Sequence, residues 1–269
     1  MEAIEALLIT KGHPFEREPF FQAFEHWSDI RTTAVEQPAA QLFFAPEHAA
    51  DWDAFVLYDM PGIQFQAGGG VRFEDPPESL RRNLTALLER GHGFVFLHHA
   101  IAGWPSWPEY ADWLGGRFHY APAELRGQQW PDSGYQLGVQ QQISVVADHP
   151  VTQGLGSGFE IEDELYLCPV FEDEVTPLLR SDARFEDDAF YSADAAIHGR
   201  MFSREGWSHP RGSNLVGWTK RVGRSPIVYL ALGDGPAAYA NPAFRTLVGN
   251  AIRWVASEAR RIRDEAGES

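Results

Sequence analysis

A chain of 269 residues that is 44% hydrophobic is long enough to bury a sizeable core, and its formal charge of −16 leaves no basic face for nucleic acid or an anionic membrane surface. The one cysteine, Cys168, has no partner within the chain, which suits a reducing compartment. No apolar run is long enough to span a bilayer, and the acidic start Met-Glu-Ala-Ile-Glu is unlike a signal peptide, so the sequence predicts a cytoplasmic protein.

In chain order, Ile4 to Thr10 predicts a buried strand ending in the turn Lys11-Gly12-His13-Pro14. Phe20, Phe21, Phe24 and Trp27 then follow a helical spacing, which places His13 in a strand-to-helix loop. Thr32 to Val35 reads as an edge strand, and Asp53 to Asp59 as a stronger one. The run Gly68-Gly69-Gly70 matches neither glycine pattern that cradles phosphate, and is expected to be a flexible loop. Ser79 to Arg90 predicts a helix with Leu80, Leu84, Leu87 and Leu88 on one face and Gly91 as its cap. Phe94 to Leu97 is a continuous apolar run bounded by glycine, as in a strand buried on both faces, and it ends at His98-His99. Trp104-Pro105-Ser106-Trp107-Pro108 leads into a short helix holding Tyr110, Trp113 and Leu114. Strand–helix alternation of this kind predicts an α/β protein with a largely parallel open sheet flanked by helices.

The second half changes character. Ser144 to Asp148 is strand-like, residues 159–166 alternate apolar and acidic as a half-exposed strand would, and Val175 to Leu179 is a third candidate. Residues 181–213 predict a long surface excursion. Pro226 to Leu232 is a strong buried strand ending at Gly233-Asp234-Gly235. Asn241-Pro242 caps a final helix with Phe244, Leu247, Val248, Ala251, Ile252 and Val255 inward, and the charged tail past Arg260 is expected to fray. With no repeat and no linker, residues 1–269 are expected to form one domain.

Ligands of open α/β sheets collect at the carboxyl ends of the strands, which is where His13, His98, His99 and Asp234 fall. Asp163, Glu164 and Tyr166 form a fourth group on the alternating segment, although an acidic edge there could equally be only solvated. Imidazole beside carboxylate serves either proton transfer near neutral pH or ligation of a divalent ion, and the sequence leaves both uses open. No H-E-x-x-H, clustered Cys/His spacing or G-x-S-x-G is present, and Cys168 before Pro169 is poorly placed for a nucleophile. His149 before Pro150 is a turn residue. Many of the nine Trp and eighteen Phe lie beside Pro or Gly, and rings exposed in loops would suit a sugar.

Several segments together resemble one family. G-H-G-F-V-F-L-H-H-A (91–100), L-G-G-R-F (114–118), D-H-P-V-T (148–152), F-E-I-E-D-E-L-Y (159–166) and V-G-W to I-V-Y-L-A-L-G (216–233), followed by N-A-I-R-W (250–254), occur in the order found in ThuA-like, or trehalose-utilisation, proteins. The resemblance implies a class I glutamine amidotransferase-like fold, a flavodoxin-like three-layer sandwich, in which His98-His99-Ala100 replace the catalytic cysteine elbow. It also implies a part in disaccharide or glycoside use, acting on 3-keto sugars by isomerisation or by elimination and hydrolysis. One departure is that the family's last strand often ends Leu-Gly-His, whereas here Asp234 follows Leu232-Gly233.

The expectation is therefore a sugar enzyme in which His98 or His99, with Glu164 and Asp163, moves protons. His99 is the histidine expected to face the substrate. His13 and Asp234 would polarise the substrate, Tyr166 would line the pocket, and Trp104 and Trp107 would stack on the sugar ring. A divalent metal, on His13, His99 and Asp234, is the one cofactor these residues would accommodate. The alternative is a non-catalytic sugar-binding or assembly protein using the same pocket. The expected partner is a small sugar, with a homodimer resting on fold analogy alone.

Overall fold

The computed structural model describes residues 3–267. Strand β1 (Ile4–Lys11), helix α1 (Arg17–Ala23), β2 (Ile30–Glu36), α2 (Pro46–Ala49) and β3 (Ala54–Asp59) come first. A small hairpin of β4 (Ile63–Phe65) and β5 (Val71–Phe73) follows, with the three glycines in its turn. Next are α3 (Glu78–Arg90), β6 (Gly93–Leu97), α4 (Pro108–Leu114) and a second hairpin, β7 (Ala123–Leu125) with β8 (Gln128–Trp130). The second half contributes β9 (Gly134–Val145), β10 (Gly158–Leu167), β11 (Thr176–Ser181), β12 (Tyr191–Ser192) and α5 (Ala193–Ile197). It closes with β13 (Leu215–Val222), β14 (Ser225–Leu230), α6 (Pro236–Ala240) and α7 (Pro242–Ala266).

Ten strands make one mixed sheet in the order β10-β9-β11-β13-β14-β6-β3-β1-β2, with β12 also on β9. From β2 to β14 the neighbours are parallel, and from β14 to β10 they are antiparallel. Every residue of β3, β6 and β14 is buried, which is why these strands read as unbroken apolar runs. Alternate residues feed two cores. Leu8, Val56, Val95 and Val228 pack under α7, whereas Leu7, Phe55, Phe94 and Ile227 pack with the leucines of α3. The result is the three-layer α/β arrangement, and the chain turns from β2 on one side of β1 to β3 on the other. That reversal opens a crevice at the carboxyl ends of the strands.

The α3 helix has the predicted face, with Leu80, Leu84, Leu87 and Leu88 buried. It stops at Gly91, whose φ of +87° suits glycine and whose added Cβ would meet Ile262 at 2.5 Å. Three expectations need correction. Of the strand read at 144–148 only Ser144 and Val145 are extended in a sheet, as the end of twelve-residue β9, whose earlier part is glutamine-rich. The excursion at 181–213 is not all surface: Phe185, Phe190, Ala193 and Ala195 are buried and it carries α5. The tail does not fray at Arg260. Helix α7 continues to Ala266 and Arg260 donates to both Asp53 oxygens, at 2.8 and 2.6 Å. Among the described residues no helix is long and apolar enough to cross a membrane.

Candidate active site

The parallel strands deliver one distorted residue to the crevice. At the end of β6 the backbone enters the left-handed region at His98, with φ +46°, a strained setting for a residue with a Cβ. Tyr229 steadies it by donating from its hydroxyl to the His98 carbonyl at 2.9 Å. The imidazole is fully buried, and its Nδ1 lies 2.7 Å from the Ala231 carbonyl. A carbonyl only accepts, so Nδ1 carries a hydrogen and Nε2 is turned toward three oxygens. These are Glu164 Oε2 at 2.9 Å, the Tyr166 hydroxyl at 2.8 Å and Asp234 Oδ1 at 3.4 Å. The Tyr166 ring also stacks on the imidazole, 4.5 Å between centroids. Burial alone would push His98 down, but its bonds to Asp234 and Glu164 and their charges outweigh it and hold the ring well above its ordinary pKa.

Both carboxylates arrive through irregular backbone. The pairing of β10 with β9 slips between Asp163 and Leu165, a β-bulge that breaks the alternation and turns both Asp163 and Glu164 inward. Asp163 and Glu164 are therefore not part of the solvated acidic edge, which Glu160 and Glu162 form. Asp163, expected among the catalytic residues, is instead a clamp. Its Oδ1 accepts from the Glu164 and Asp234 amides at 2.9 and 3.0 Å, and its Oδ2 from the Gly233 amide at 2.6 Å. Burial raises its pKa to about 6 in spite of these donors and nearby His98. Gly233 itself must be glycine: its φ is +111° and a Cβ would meet the Phe244 ring at 2.7 Å. The turn it allows aims Asp234 at His98, whose hydrogen bond and charge overcome the effect of burial and lower the aspartate's pKa.

Above this floor is a cavity of about 610 Å³. Glu164, Tyr166, Asp234 and His13 give it its polar base, and Phe65, Phe118, Tyr120 and Tyr135 give it aromatic walls. Phe65 comes from the β4–β5 hairpin, which is tied to α5 by the Gly70 amide donating to the Ile197 carbonyl at 2.7 Å. Ile197 and Met201 complete the rim from the 181–213 excursion. Among the described residues no Lys or Arg lines the cavity.

The structure brings His98, Glu164, Tyr166, Asp234 and His13 together, and corrects four other assignments. His99 does not face the cavity. It packs under His13 and Tyr58, with ring centroids at 4.8 and 4.2 Å, and makes one long contact from Nε2 to the Tyr58 carbonyl at 3.3 Å. Burial, with His13 and His98 nearby, drives its pKa well below the usual value, so it is a neutral ring. Trp104 and Trp107 are core residues, 6% and 3% exposed. The fully buried Arg117, the arginine of L-G-G-R-F, donates to the carbonyls of Gly103, Trp104 and Trp107 and binds their loop to the body. The metal set His13, His99 and Asp234 does not converge; His98, Glu164 and Asp234 do, with candidate ligand atoms within 4.8 Å of one another. The walls Phe65, Tyr120 and Tyr135 were missed because a small hairpin, a loop and the start of the irregularly patterned β9 supply them. Buried Cys168, with its thiol pushed up to about 12, is no nucleophile.

Comparison with known proteins sets this geometry in a family. The model of the ThuA family, trehalose utilisation, matches residues 7–255. The chain belongs to the ThuA family. Among solved structures, a ThuA-like protein of Parabacteroides merdae superposes with a TM-score of 0.65 at 17% identity, covering 95% of this chain and 91% of that one. A ThuA-like protein of Bacteroides uniformis gives 0.60 at 16%, covering 94% and 91%. PurLQS of Thermotoga maritima gives 0.51 at 12%, covering 94% and 99%, so this ThuA fold is also that of amidotransferase-like proteins. At these identities the likeness speaks for fold alone. No match was found among curated proteins. Family membership points to sugar utilisation.

Proposed function

We propose that this ThuA-family protein is an enzyme acting on a keto-sugar unit of a disaccharide or glycoside. The observation that carries it is the placement of Glu164. One oxygen is held by His98, and the other takes no hydrogen bond from any described residue, at the base of an aromatic-walled cavity. Absence of Lys and Arg from the lining favours an uncharged sugar over a phosphorylated one. The aromatic faces suit the C–H face of a pyranose, while the polar base receives its oxygens.

The carbonyl of a keto-sugar acidifies the neighbouring C–H. Glu164 accepts that proton, and the electron pair moves onto the carbonyl oxygen as an enolate stabilised by donors at the base. Return of that proton to the former carbonyl carbon, with the neighbouring hydroxyl hydrogen passing to the former carbonyl oxygen, isomerises the sugar. Alternatively the enolate expels the β-glycosidic oxygen, which leaves as an alcohol with the proton held on Glu164, and water adds across the double bond of the resulting unsaturated ketone. His13, at the polar base of the cavity, is placed to polarise a substrate oxygen.

The test is a 3-keto-glycoside in deuterated water. The protein should exchange the hydrogen beside the carbonyl and release product, and Glu164→Gln should lower both by about 10²–10⁴-fold without moving the unfolding midpoint. Binding of the sugar with neither exchange nor product would overturn the enzymatic reading in favour of a sugar-binding protein.

A further inference from the structure

We infer that His98 Nε2, Glu164 and Asp234 form a binding site for one divalent transition ion of the manganese–zinc class. The site is stated on its own geometry; only its part in catalysis rests on the keto-sugar proposal.

The charge at this cluster calls for a cation. Glu164 and Asp234 both face one imidazole nitrogen, and neither is paired with a Lys or Arg among the described residues. Two carboxylates against a neutral ring leave a net charge of −2 at a site where the ring is fully buried and Glu164 nearly so, which is costly without a counter-charge. A proton on Nε2 would neutralise half of it. One N–H also cannot serve oxygens of Glu164, Tyr166 and Asp234 at once. A divalent ion neutralises both carboxylates and can contact several donors.

The geometry of the cluster fits one too. The nitrogen stands 2.9 Å from Glu164 Oε2 and 3.4 Å from Asp234 Oδ1. Ligands about 2.0–2.2 Å from a metal are separated from their neighbours by roughly 3.0–3.5 Å, so little movement is needed to admit an ion. The supporting shell is in place as well. His98 Nδ1 is engaged by a backbone carbonyl, the usual way of orienting a metal-binding histidine. Asp163 accepts from the amides of both carboxylate residues, which fixes where their side chains begin. One nitrogen and two oxygens suit manganese or zinc, and three protein ligands leave open positions toward the cavity for water or sugar oxygens.

The experiment uses the full chain stripped with a chelator and then dialysed. Titration with Mn²⁺, followed by loss of the free-ion electron-spin signal, and with Zn²⁺ by calorimetry, should show saturable binding of one equivalent and a raised unfolding midpoint. Asp234→Asn should weaken binding at least about tenfold, Asp234→His should restore it by supplying a nitrogen donor, and His99→Phe should leave it unchanged. No saturable binding of either ion, or binding indifferent to Asp234→Asn, overturns the site. Saturable binding with no exchange of a keto-sugar sinks the proposed reaction while leaving the site standing.

Discussion

His98 and His99 are consecutive, end the same strand and are equally hidden, at 0% and 1% exposed, yet they are put to opposite use. The ring of His98 is surrounded by the Ala231 carbonyl, two carboxylates and a phenol. The ring of His99 lies among Tyr58 and His13, with its Nδ1 unpartnered. Burial therefore does not decide whether an imidazole is chemical or structural. What decides it is the chemistry of the neighbours, which the left-handed turn at His98 selects by sending the two rings to different surroundings.

The widest gap should appear on removing each side of that contrast. His98→Ala leaves Glu164 and Asp234 facing each other without the ring between them. It should cost about 3–5 kcal/mol in urea unfolding, as for a broken buried ion pair, and lower keto-sugar turnover by about 10³-fold or more. Turnover near that of the native protein would erase the distinction between the two histidines. Asp163→Ala attacks the floor from behind, leaving the Gly233 and Asp234 amides without their acceptor. A loss of about 2–3 kcal/mol is expected, with turnover falling because Asp234 and Glu164 are no longer fixed. Unchanged activity would show that the clamp serves stability alone.

Asp59, like His99, is a buried titratable group outside the His98 cluster. It ends β3, takes one bond from Gln37 at 2.8 Å, leaves Oδ1 unpartnered, and is raised by burial to about 7. Because the folded pKa lies above the unfolded one, the stability associated with its protonation is fully present below about 4 and is lost as pH rises through about 7. Asp59→Asn should match the native protein near pH 4 and exceed it by a few kcal/mol above pH 7, read as the gap between urea midpoints. An equal gap at both pH values would mean that Asp59 is not buried as an acid.

The sequence was most legible where periodicity meets burial. Four leucines of α3, the unbroken runs of β3, β6 and β14, and the inner face of α7 all follow from side-chain spacing. His98, Glu164, Tyr166 and Asp234 were visible as chemistry at strand ends. Which histidine faces the cluster was not, because a left-handed residue other than glycine leaves no mark in composition. The role of Asp163 was hidden for a related reason: its partners are backbone amides, which every residue type supplies. Trp104 and Trp107 looked like exposed loop rings beside prolines. Their burial depends on Arg117, ten or more positions away, donating into the loop. β9 was half missed because Gly-Val-Gln-Gln-Gln has no apolar pattern of its own and is held as a strand by its pairing with β10.

The smallest effect is the most pointed. His99→Phe keeps a planar ring against Tyr58 and His13, removes a nitrogen that has no partner, and gives up only the 3.3 Å contact to the Tyr58 carbonyl. A long neutral hydrogen bond of this kind contributes about 1 kcal/mol or less, and losing an unsatisfied buried atom offsets part of it, so stability should change by less than about 1 kcal/mol. Keto-sugar turnover should stay within about threefold of the native protein, a barrier change of well under 1 kcal/mol. His99→Ala serves as the internal reference, because the void it leaves should cost about 2–4 kcal/mol and shows that the ring is needed as volume. A phenylalanine that folds normally but abolishes turnover would place chemistry on His99 that its surroundings do not supply. Since the same substitution at His98 would set an apolar ring against two carboxylates, near-neutrality at one position and collapse at the other would isolate the neighbours, not the burial, as the cause.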